Sequence, residues 1–80
     1  MDKQLILDKF KAEMAKAGLL IEFTGLTDSQ KRYEKEEKSI LLPFVTNGQE
    51  YIFELEQEDS KTLGNIVLYT KTVIDTIKGE

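Results

Sequence analysis

The sequence predicts an α+β domain in which a helix is followed by a three-stranded antiparallel meander and a second helix, with both helices packed on one face of the sheet. Apolar residues recur with helical spacing in residues 2–17 and again in residues 60–78. Between these segments apolar and polar residues alternate, and an Asn-Gly pair separates two of the alternating runs. No repeat, linker or low-complexity tract interrupts the chain, so residues 1–80 are predicted to form a single domain.

The first helix is predicted over Asp2–Ala17. Its apolar stripe consists of residues three or four positions apart, namely Ile6, Phe10, Met14 and Ala17. Asp2 is suited to cap the start of the helix, because its side chain can accept a hydrogen bond from a free backbone amide. Gly18 follows the stripe, where a left-handed residue commonly ends a helix.

The next segment changes to a period of two. Leu19, Ile21 and Phe23 alternate with residues that would face away from them, so Leu19–Thr24 is predicted to be a strand. Turn-forming residues then occupy positions 25–29, which predicts that the chain reverses there.

Residues Gln30–Lys38 are rich in charge, and Tyr33 is the one apolar side chain that could anchor them. A helix that is polar on every side has no face to bury. A long hairpin arm or mobile loop is therefore predicted here. A short helix opened by Thr27 and Gln30 is the alternative, because these residues have the spacing of a capping box.

Two extended runs, Ser39–Thr46 and Gln49–Glu56, flank Asn47-Gly48 and predict a β-hairpin with a two-residue turn. Pro43 cannot donate a hydrogen bond to a neighbouring strand, so the first run is predicted to lie at an edge or to contain a bulge. In the second run, alternation predicts that three residues face the core, namely Tyr51, Phe53 and Leu55. Their neighbours, Glu50, Ile52, Glu54 and Glu56, should face the opposite side.

The last helix is predicted over Ser60–Lys78, with Ser60 or Asp59 as its cap and Gly79 at its end. Its predicted apolar face comprises Leu63, Ile66, Val67, Val73, Ile74 and Ile77. Many of its residues are β-branched and Gly64 lies inside it, so this helix must be held by packing rather than by intrinsic propensity.

The composition removes most catalytic chemistry. The chain has no His, Cys or Trp, which excludes a thiolate nucleophile, an imidazole base, a disulfide and the usual zinc ligands. Glu54 and Glu56 would lie on an open sheet face rather than in the concave site that acid–base catalysis needs. We therefore expect no enzyme activity, no catalytic residues, no metal and no cofactor. No signal-peptide pattern or membrane-spanning run is present, so we expect a cytoplasmic protein.

The negative charge lies in the second half of the chain. Residues 1–38 hold eight acidic and eight basic residues, whereas residues 39–80 hold seven acidic and three basic residues. The asymmetry is concentrated in Glu50, Glu54, Glu56, Glu58 and Asp59. Direct nucleic-acid binding is disfavoured, because the chain has a single Arg and its basic residues are interspersed with Glu.

These acidic residues allow two interpretations. They could form a solvated strand face that prevents pairing with another molecule, or an electrostatic surface for a basic partner. Because residues two apart on a strand point the same way, Glu54 and Glu56 should form one row, which Glu58 would extend if the strand continues. Tyr33 is then either the sole anchor of its segment or an exposed aromatic residue that a partner would bury.

The hairpin and its acidic strand resemble the small phage-encoded anti-CRISPR proteins that block type II-A nucleases. The resemblance covers about Ile21–Ile66 and is carried by three local features. These are Phe23-Thr24-Gly25 with Thr27-Asp28-Ser29, Val45 and Asn47-Gly48 with Glu50-Tyr51-Ile52, and Glu54–Ser60 leading into a helix. The chain departs from the family in two ways. It carries positive charge at Lys31, Arg32, Lys35 and Lys38, and the late acids of its predicted last segment are only Asp75 and Glu80.

This resemblance implies DNA mimicry, in which an inhibitor occupies the groove where a guide-loaded nuclease reads its duplex motif. It implies partner contacts at Asn47, Gly48, Gln49, Glu50 and Asp28. The charge pattern adds Glu54, Glu56, Glu58, Asp59 and, as an aromatic contact, Tyr33. We therefore expect a monomeric or weakly dimeric inhibitor of a basic, nucleic-acid-binding protein. The alternative is a small structural or accessory subunit of a larger assembly.

Overall fold

The computed structural model describes residues 2–79 and has the predicted α+β architecture. In chain order the elements are α1 (Lys3–Lys16), β1 (Glu22–Phe23), α2 (Asp28–Glu37), β2 (Ser39–Thr46), β3 (Gln49–Glu56), a 3-10 helix (Gln57–Lys61) and α3 (Leu63–Lys78). The strands form one antiparallel sheet in the order β1-β2-β3. No helix within residues 2–79 is long and apolar enough to cross a membrane.

The predicted limits of α1 are confirmed. The Asp2 side chain accepts a hydrogen bond from the Leu5 amide at 3.1 Å and caps the first turn. Ile6, Phe10 and Met14 are fully buried along one stripe. The helix stops before Gly18, whose φ of 82° is the left-handed conformation expected after a helix end.

β1 is shorter than the predicted Leu19–Thr24 strand, because only Glu22 and Phe23 pair with β2. The predicted alternation is nevertheless correct, since Leu19 and Ile21 are buried while Leu20 is 83% exposed. Leu19 and Ile21 therefore reach the core although they are not paired with β2.

The β2–β3 hairpin has the predicted limits, and its register runs without interruption from Ser39↔Glu56 to Thr46↔Gln49. Asn47 and Gly48 have φ values of 53° and 75°, as a two-residue turn with two left-handed positions requires. Glycine adopts this conformation without the steric penalty that other residues pay. The local Asn-Gly signal was thus sufficient to fix both the turn and the register.

The prediction that Pro43 marks an edge strand or a bulge is wrong. β2 is the central strand, and its pairing with β3 continues through Pro43. The Pro43 carbonyl accepts a hydrogen bond from the Thr24 amide at 3.1 Å, so the backbone groups of Pro43 face β1. The missing amide of Pro43 therefore lies where β1 ends, and the hairpin ladder is left intact.

The segment predicted as a hairpin arm or loop, Gln30–Lys38, lies mostly in helix α2, which makes the alternative prediction correct. Thr27 and Gln30 form the capping box: the Gln30 amide donates to Thr27 Oγ1 at 3.1 Å, and the Thr27 amide donates to Gln30 Oε1 at 2.9 Å. The helix ends at Lys38, whose φ is 51°. As its sequence indicated, α2 contains no buried residue.

The predicted cap of the last helix is wrong. Residues 57–61 first form the 3-10 helix, in which the Ser60 hydroxyl donates to the Gln57 carbonyl at 2.8 Å. Thr62 then caps α3, because its hydroxyl oxygen accepts a hydrogen bond from the Asn65 amide at 3.3 Å. Gly79, with a φ of 75°, ends the helix as predicted.

Helices α1 and α3 pack on the same face of the sheet, as predicted. They share one buried cluster with β2, β3 and the segment before β1, comprising Ile6, Phe10, Met14, Leu19, Ile21, Leu42, Phe44, Phe53, Leu55 and Ile66. Leu63 and Val67 do not join this core, since they are 49% and 37% exposed. Helix α2 contacts β2, and its Tyr33 reaches the opposite face of the sheet at Glu54. We call that opposite side the outer face.

Candidate protein-binding surface

The outer face of β3 carries a row of side chains that point away from the core. These are Glu50, Ile52, Glu54 and Glu56, all exposed, while Phe53 and Leu55 are buried on the other side. The predicted orientation of this strand is therefore correct. Successive members of the row lie about 6.6–6.8 Å apart, so the row extends over about 20 Å.

Glu22 of β1 lies on the same outer face as this row, although it was not among the predicted site residues. The register pairs Glu22 with Val45, and Val45 in turn with Glu50, so the three side chains lie on one line across the outer face. Two strand spacings place Glu22 about 9–10 Å from Glu50. The alternation of Ile21 and Phe23 indicated that Glu22 points outward, but its neighbours follow from the β1–β2 register, which no local sequence signal specifies. We call Glu22, Glu50, Glu54 and Glu56 the acidic face.

Glu54 is held in place by two hydroxyl groups. The Tyr33 hydroxyl donates to Glu54 Oε2 at 2.7 Å, and the Ser39 hydroxyl donates to the same oxygen at 3.1 Å. Tyr33 is 40% exposed, so it anchors α2 to the sheet while part of its ring stays accessible. Tyr33 is not the sole anchor of its segment, because Glu34 also bonds α2 to the sheet through the Leu41 amide at 2.8 Å. These two hydrogen bonds of Tyr33 and Ser39 fix the orientation of the Glu54 carboxylate, which stays exposed on the outer face.

The hydrogen bond to Glu54 raises the pKa of Tyr33 above its ordinary value of 10.0, with burial and the charges of Glu54 and Glu37 acting in the same direction. The bond requires a protonated Tyr33, so its stabilising effect is complete below pH 10 and is lost as the pH rises through the pKa of the folded protein. In an ultraviolet titration of tyrosinate we expect a high-pH component to which Tyr33 contributes together with Tyr69, whose pKa is also raised. Tyr33→Phe should lower the amplitude of this component, and Tyr33→Phe combined with Tyr69→Phe should remove it; an unchanged amplitude in Tyr33→Phe would contradict the assignment.

The acidic residues after Glu54 do not continue as a single row. β3 ends at Glu56, and the chain turns into the 3-10 helix, so the prediction that Glu58 extends the row is wrong. Glu58 instead forms an ion pair with Lys61 at 3.2 Å.

Asp59 and Tyr69 lie next to each other beside the C-terminal end of β3. Asp59 Oδ2 accepts a hydrogen bond from the Tyr69 hydroxyl at 3.3 Å. The charge of Asp59 is the main cause that raises the pKa of Tyr69, and Glu56 contributes to the same effect. A shallow crevice of about 330 Å³ lies here, lined by Glu54, Leu55, Glu56, Asp59 and Tyr69. This arrangement suits a cationic group, because carboxylates attract it and an aromatic face can stack on it.

The predicted tip residues Asn47, Gly48, Gln49 and Glu50 are all exposed at the hairpin end. A surface groove of about 660 Å³ begins beside them and runs between Glu50 and Ile52 on one side and Thr27 and Gln30 on the other. Asp28, also exposed, follows Thr27 in the first turn of α2. Of the predicted site residues Glu50 lines this groove, whereas Asp28 and the other tip residues lie outside its lining.

The basic residues of α2 do not neutralise the acidic face. Lys31 and Lys35 line a separate crevice together with Lys3, and Lys3 forms an ion pair with Glu34 at 3.1 Å. Within residues 2–79 no ion pair joins a basic residue of α2 or Lys38 to the acidic face. The face consequently keeps its negative charge.

The exposed carboxylates of this surface can attract cationic groups and accept hydrogen bonds. Within the part of the chain that the structure describes, no three acidic residues are grouped closely enough to hold a metal ion.

The chain matches no protein-family model, and no curated protein or solved structure is significantly similar to it.

Proposed function

We propose that this chain is a non-enzymatic inhibitor that acts in the bacterial cytoplasm by binding the basic groove of a nucleic-acid-binding protein. One observation carries the proposal. Glu22, Glu50 and Glu56 are exposed on one side of the sheet, and none of them has an ion-pair partner among residues 2–79. A cationic groove that normally holds the regular negative charges of a duplex would meet a comparable row of charges on this face.

Long-range electrostatics would guide this association. The net charge of −4 and the concentration of carboxylates on the outer face attract a basic surface before contact, which raises the association rate. Added salt screens such attraction beyond about 8 Å at physiological ionic strength. Binding should therefore slow steeply as the salt concentration rises.

The resemblance to anti-CRISPR proteins supplies a specific target for this mechanism. Guide-loaded type II-A nucleases read a short duplex motif with Arg side chains in a basic groove. On this proposal Glu50 and the amide groups of Asn47 and Gln49 take the place of phosphates and base edges, with Asp28 as a further acidic contact. The inhibitor would then compete with target DNA.

The test compares two double variants of equal charge. Glu50→Gln with Glu56→Gln neutralises the acidic face, whereas Asp8→Asn with Glu36→Gln neutralises two exposed acids on the helices. We expect the first variant to associate with a guide-loaded type II-A nuclease on the order of tenfold more slowly at low salt, and the second to associate nearly as the parent does. Duplex DNA carrying the recognition motif should displace the parent protein. Equal effects of both variants, or binding unaffected by that DNA, would contradict the proposal.

A second candidate function is that of an accessory subunit, and the exposed side of α3 favours it. Leu63, Val67 and Leu68 lie within two turns of this helix and are 49%, 37% and 60% exposed. Neighbouring apolar residues on a surface commonly mark a protein contact. An accessory subunit should lose its partner in Leu68→Lys and keep it in Glu50→Lys, whereas the inhibitor should show the reverse.

A further inference from the structure

β3 is an edge strand whose outward backbone groups are free. The two-residue turn makes Thr46↔Gln49 a hydrogen-bonded pair, and alternation then leaves the Pro43↔Ile52 and Leu41↔Glu54 pairs without mutual hydrogen bonds. The partners of Pro43 and Leu41 confirm this pattern, because the Pro43 carbonyl and the Leu41 amide bond on the side away from β3.

It follows that the amides and carbonyls of every second residue of β3 point away from β2. These residues are Glu50, Ile52, Glu54 and Glu56. Within residues 2–79 the backbone amides and carbonyls of Glu50, Ile52 and Glu54 have no hydrogen-bond partner outside β3. The Glu56 carbonyl differs from them, because Glu56 caps the 3-10 helix and its carbonyl accepts the first bond of that helix. An edge of this kind can pair with an additional strand.

The side chains along this edge indicate the chemistry of that strand. Glu50, Glu54 and Glu56 point to the outer face, so side chains of a new strand directly opposite them would lie about 4.5–5.5 Å away at the Cβ atoms. Opposite charges at this distance stabilise strand pairing, and like charges oppose it. The preferred occupant therefore carries Lys or Arg at alternate positions.

A second copy of this chain fits the edge poorly. In a symmetric antiparallel pair centred on Ile52, Glu50 of each copy would lie opposite Glu54 of the other. Both such pairs bring like charges together, which selects against self-association through this edge.

The crevice at the end of β3 independently favours a basic occupant. It is lined by Glu56, Asp59 and the Tyr69 ring beside the edge. A Lys or Arg side chain at the end of the incoming segment, beyond its paired residues, would find carboxylates and an aromatic residue there.

We infer that the free edge of β3 takes an extended basic segment of the partner as a fourth strand, with its Lys or Arg side chains facing the acidic face. This inference rests on the proposed function and deepens it, since it states that the basic part of the partner is an extended segment that pairs as a strand. The main-chain hydrogen bonds would supply affinity, and the glutamates would set register and charge preference.

The probe is a synthetic peptide of the length of β3, 8 residues, that alternates Lys and Val. Because the residues opposite the glutamates form the hydrogen-bonded pairs, the Lys amides of the peptide would face β3 and the Val amides would face solvent. Two peptides of identical composition follow from this, one N-methylated at the Lys residues and one at the Val residues. A fourth peptide replaces Lys with Glu. Binding to the whole protein is measured by fluorescence anisotropy.

We expect the parent peptide and the Val-methylated peptide to bind alike, with the amide resonances of Ile52 and Glu54 shifting more than that of Phe23. The Lys-methylated peptide should bind at least about tenfold more weakly, because several main-chain hydrogen bonds are lost. The Glu peptide should not bind.

The possible outcomes distinguish a failure of strand addition alone from a failure of the proposed function as well. If both methylated peptides bind as the parent does, the attraction is electrostatic alone, so strand addition is wrong and the proposed function stands. If no Lys peptide binds at low salt, both are overturned. A self-associated protein that dissociates when the Lys peptide is added would assign the edge to a second copy and also overturn the inference.

Discussion

Replacing Phe10 with alanine is expected to leave the domain unfolded at room temperature. Phe10 is fully buried, and its ring stacks on Phe53 at 4.7 Å and meets the edge of Phe44 at 5.2 Å. Truncating such a residue lowers the free energy of unfolding by about 3–5 kcal/mol. A single core in a domain of this size rarely supplies more than about 3–5 kcal/mol in total. Circular dichroism and urea denaturation would measure the loss.

The matched control for Phe10→Ala is Leu5→Ala in the same helix. Leu5 is 53% exposed, so its truncation leaves no cavity in the core. We expect Leu5→Ala to retain a cooperative unfolding transition close to that of the parent protein. A Phe10→Ala protein that unfolds at nearly the same urea concentration as Leu5→Ala would show that Phe10 does not hold the core together.

Glu34→Ala is expected to lower the free energy of unfolding by about 1–3 kcal/mol. Glu34 Oε2 accepts a hydrogen bond from the Leu41 amide at 2.8 Å, beyond the point where β1 ends. Leu41 is buried, so removal of the carboxylate leaves its amide without an acceptor. Urea denaturation measures this cost.

Two further variants separate the Leu41 hydrogen bond from the ion pair at the same oxygen. Lys3→Met removes only the exposed ion pair to Glu34 and should cost no more than about 1 kcal/mol. Glu34→Gln keeps a side-chain oxygen for the Leu41 amide and should recover part of the stability lost in Glu34→Ala. If Lys3→Met were as destabilising as Glu34→Ala, the Leu41 hydrogen bond would not be the main contribution.

Local signals predicted those parts of the fold that depend on neighbouring residues. The Asn47-Gly48 turn fixed the register of the hairpin, and the apolar stripe of α1 identified its buried face. The orientation of Glu50, Glu54 and Glu56 followed from alternation within one strand. The three glutamates of β3 in the acidic face were therefore predictable from the sequence.

The remaining features depend on residues far apart in the chain. β1 ends at Phe23 because Pro43, distant in sequence, lies where a longer strand would need an amide; at its other end the Leu20 carbonyl accepts a hydrogen bond from the Thr46 hydroxyl. Glu22 joins the acidic face only through the pairing of β1 with β2. Tyr33 and Glu34 hold α2 through contacts with β3 and β2 that its own sequence does not indicate. Periodicity within a segment carries no information on such partners.

The absence of any buried side chain from α2 has a consequence for the motions of the domain. Sub-global opening requires little energy where few apolar contacts are broken. α2 can therefore lift from the sheet while α1 and α3 keep the other side closed. Such a transient state would uncover Leu41 and Pro43, which are buried in the closed form. The central strand would then become accessible on its outer side without global unfolding.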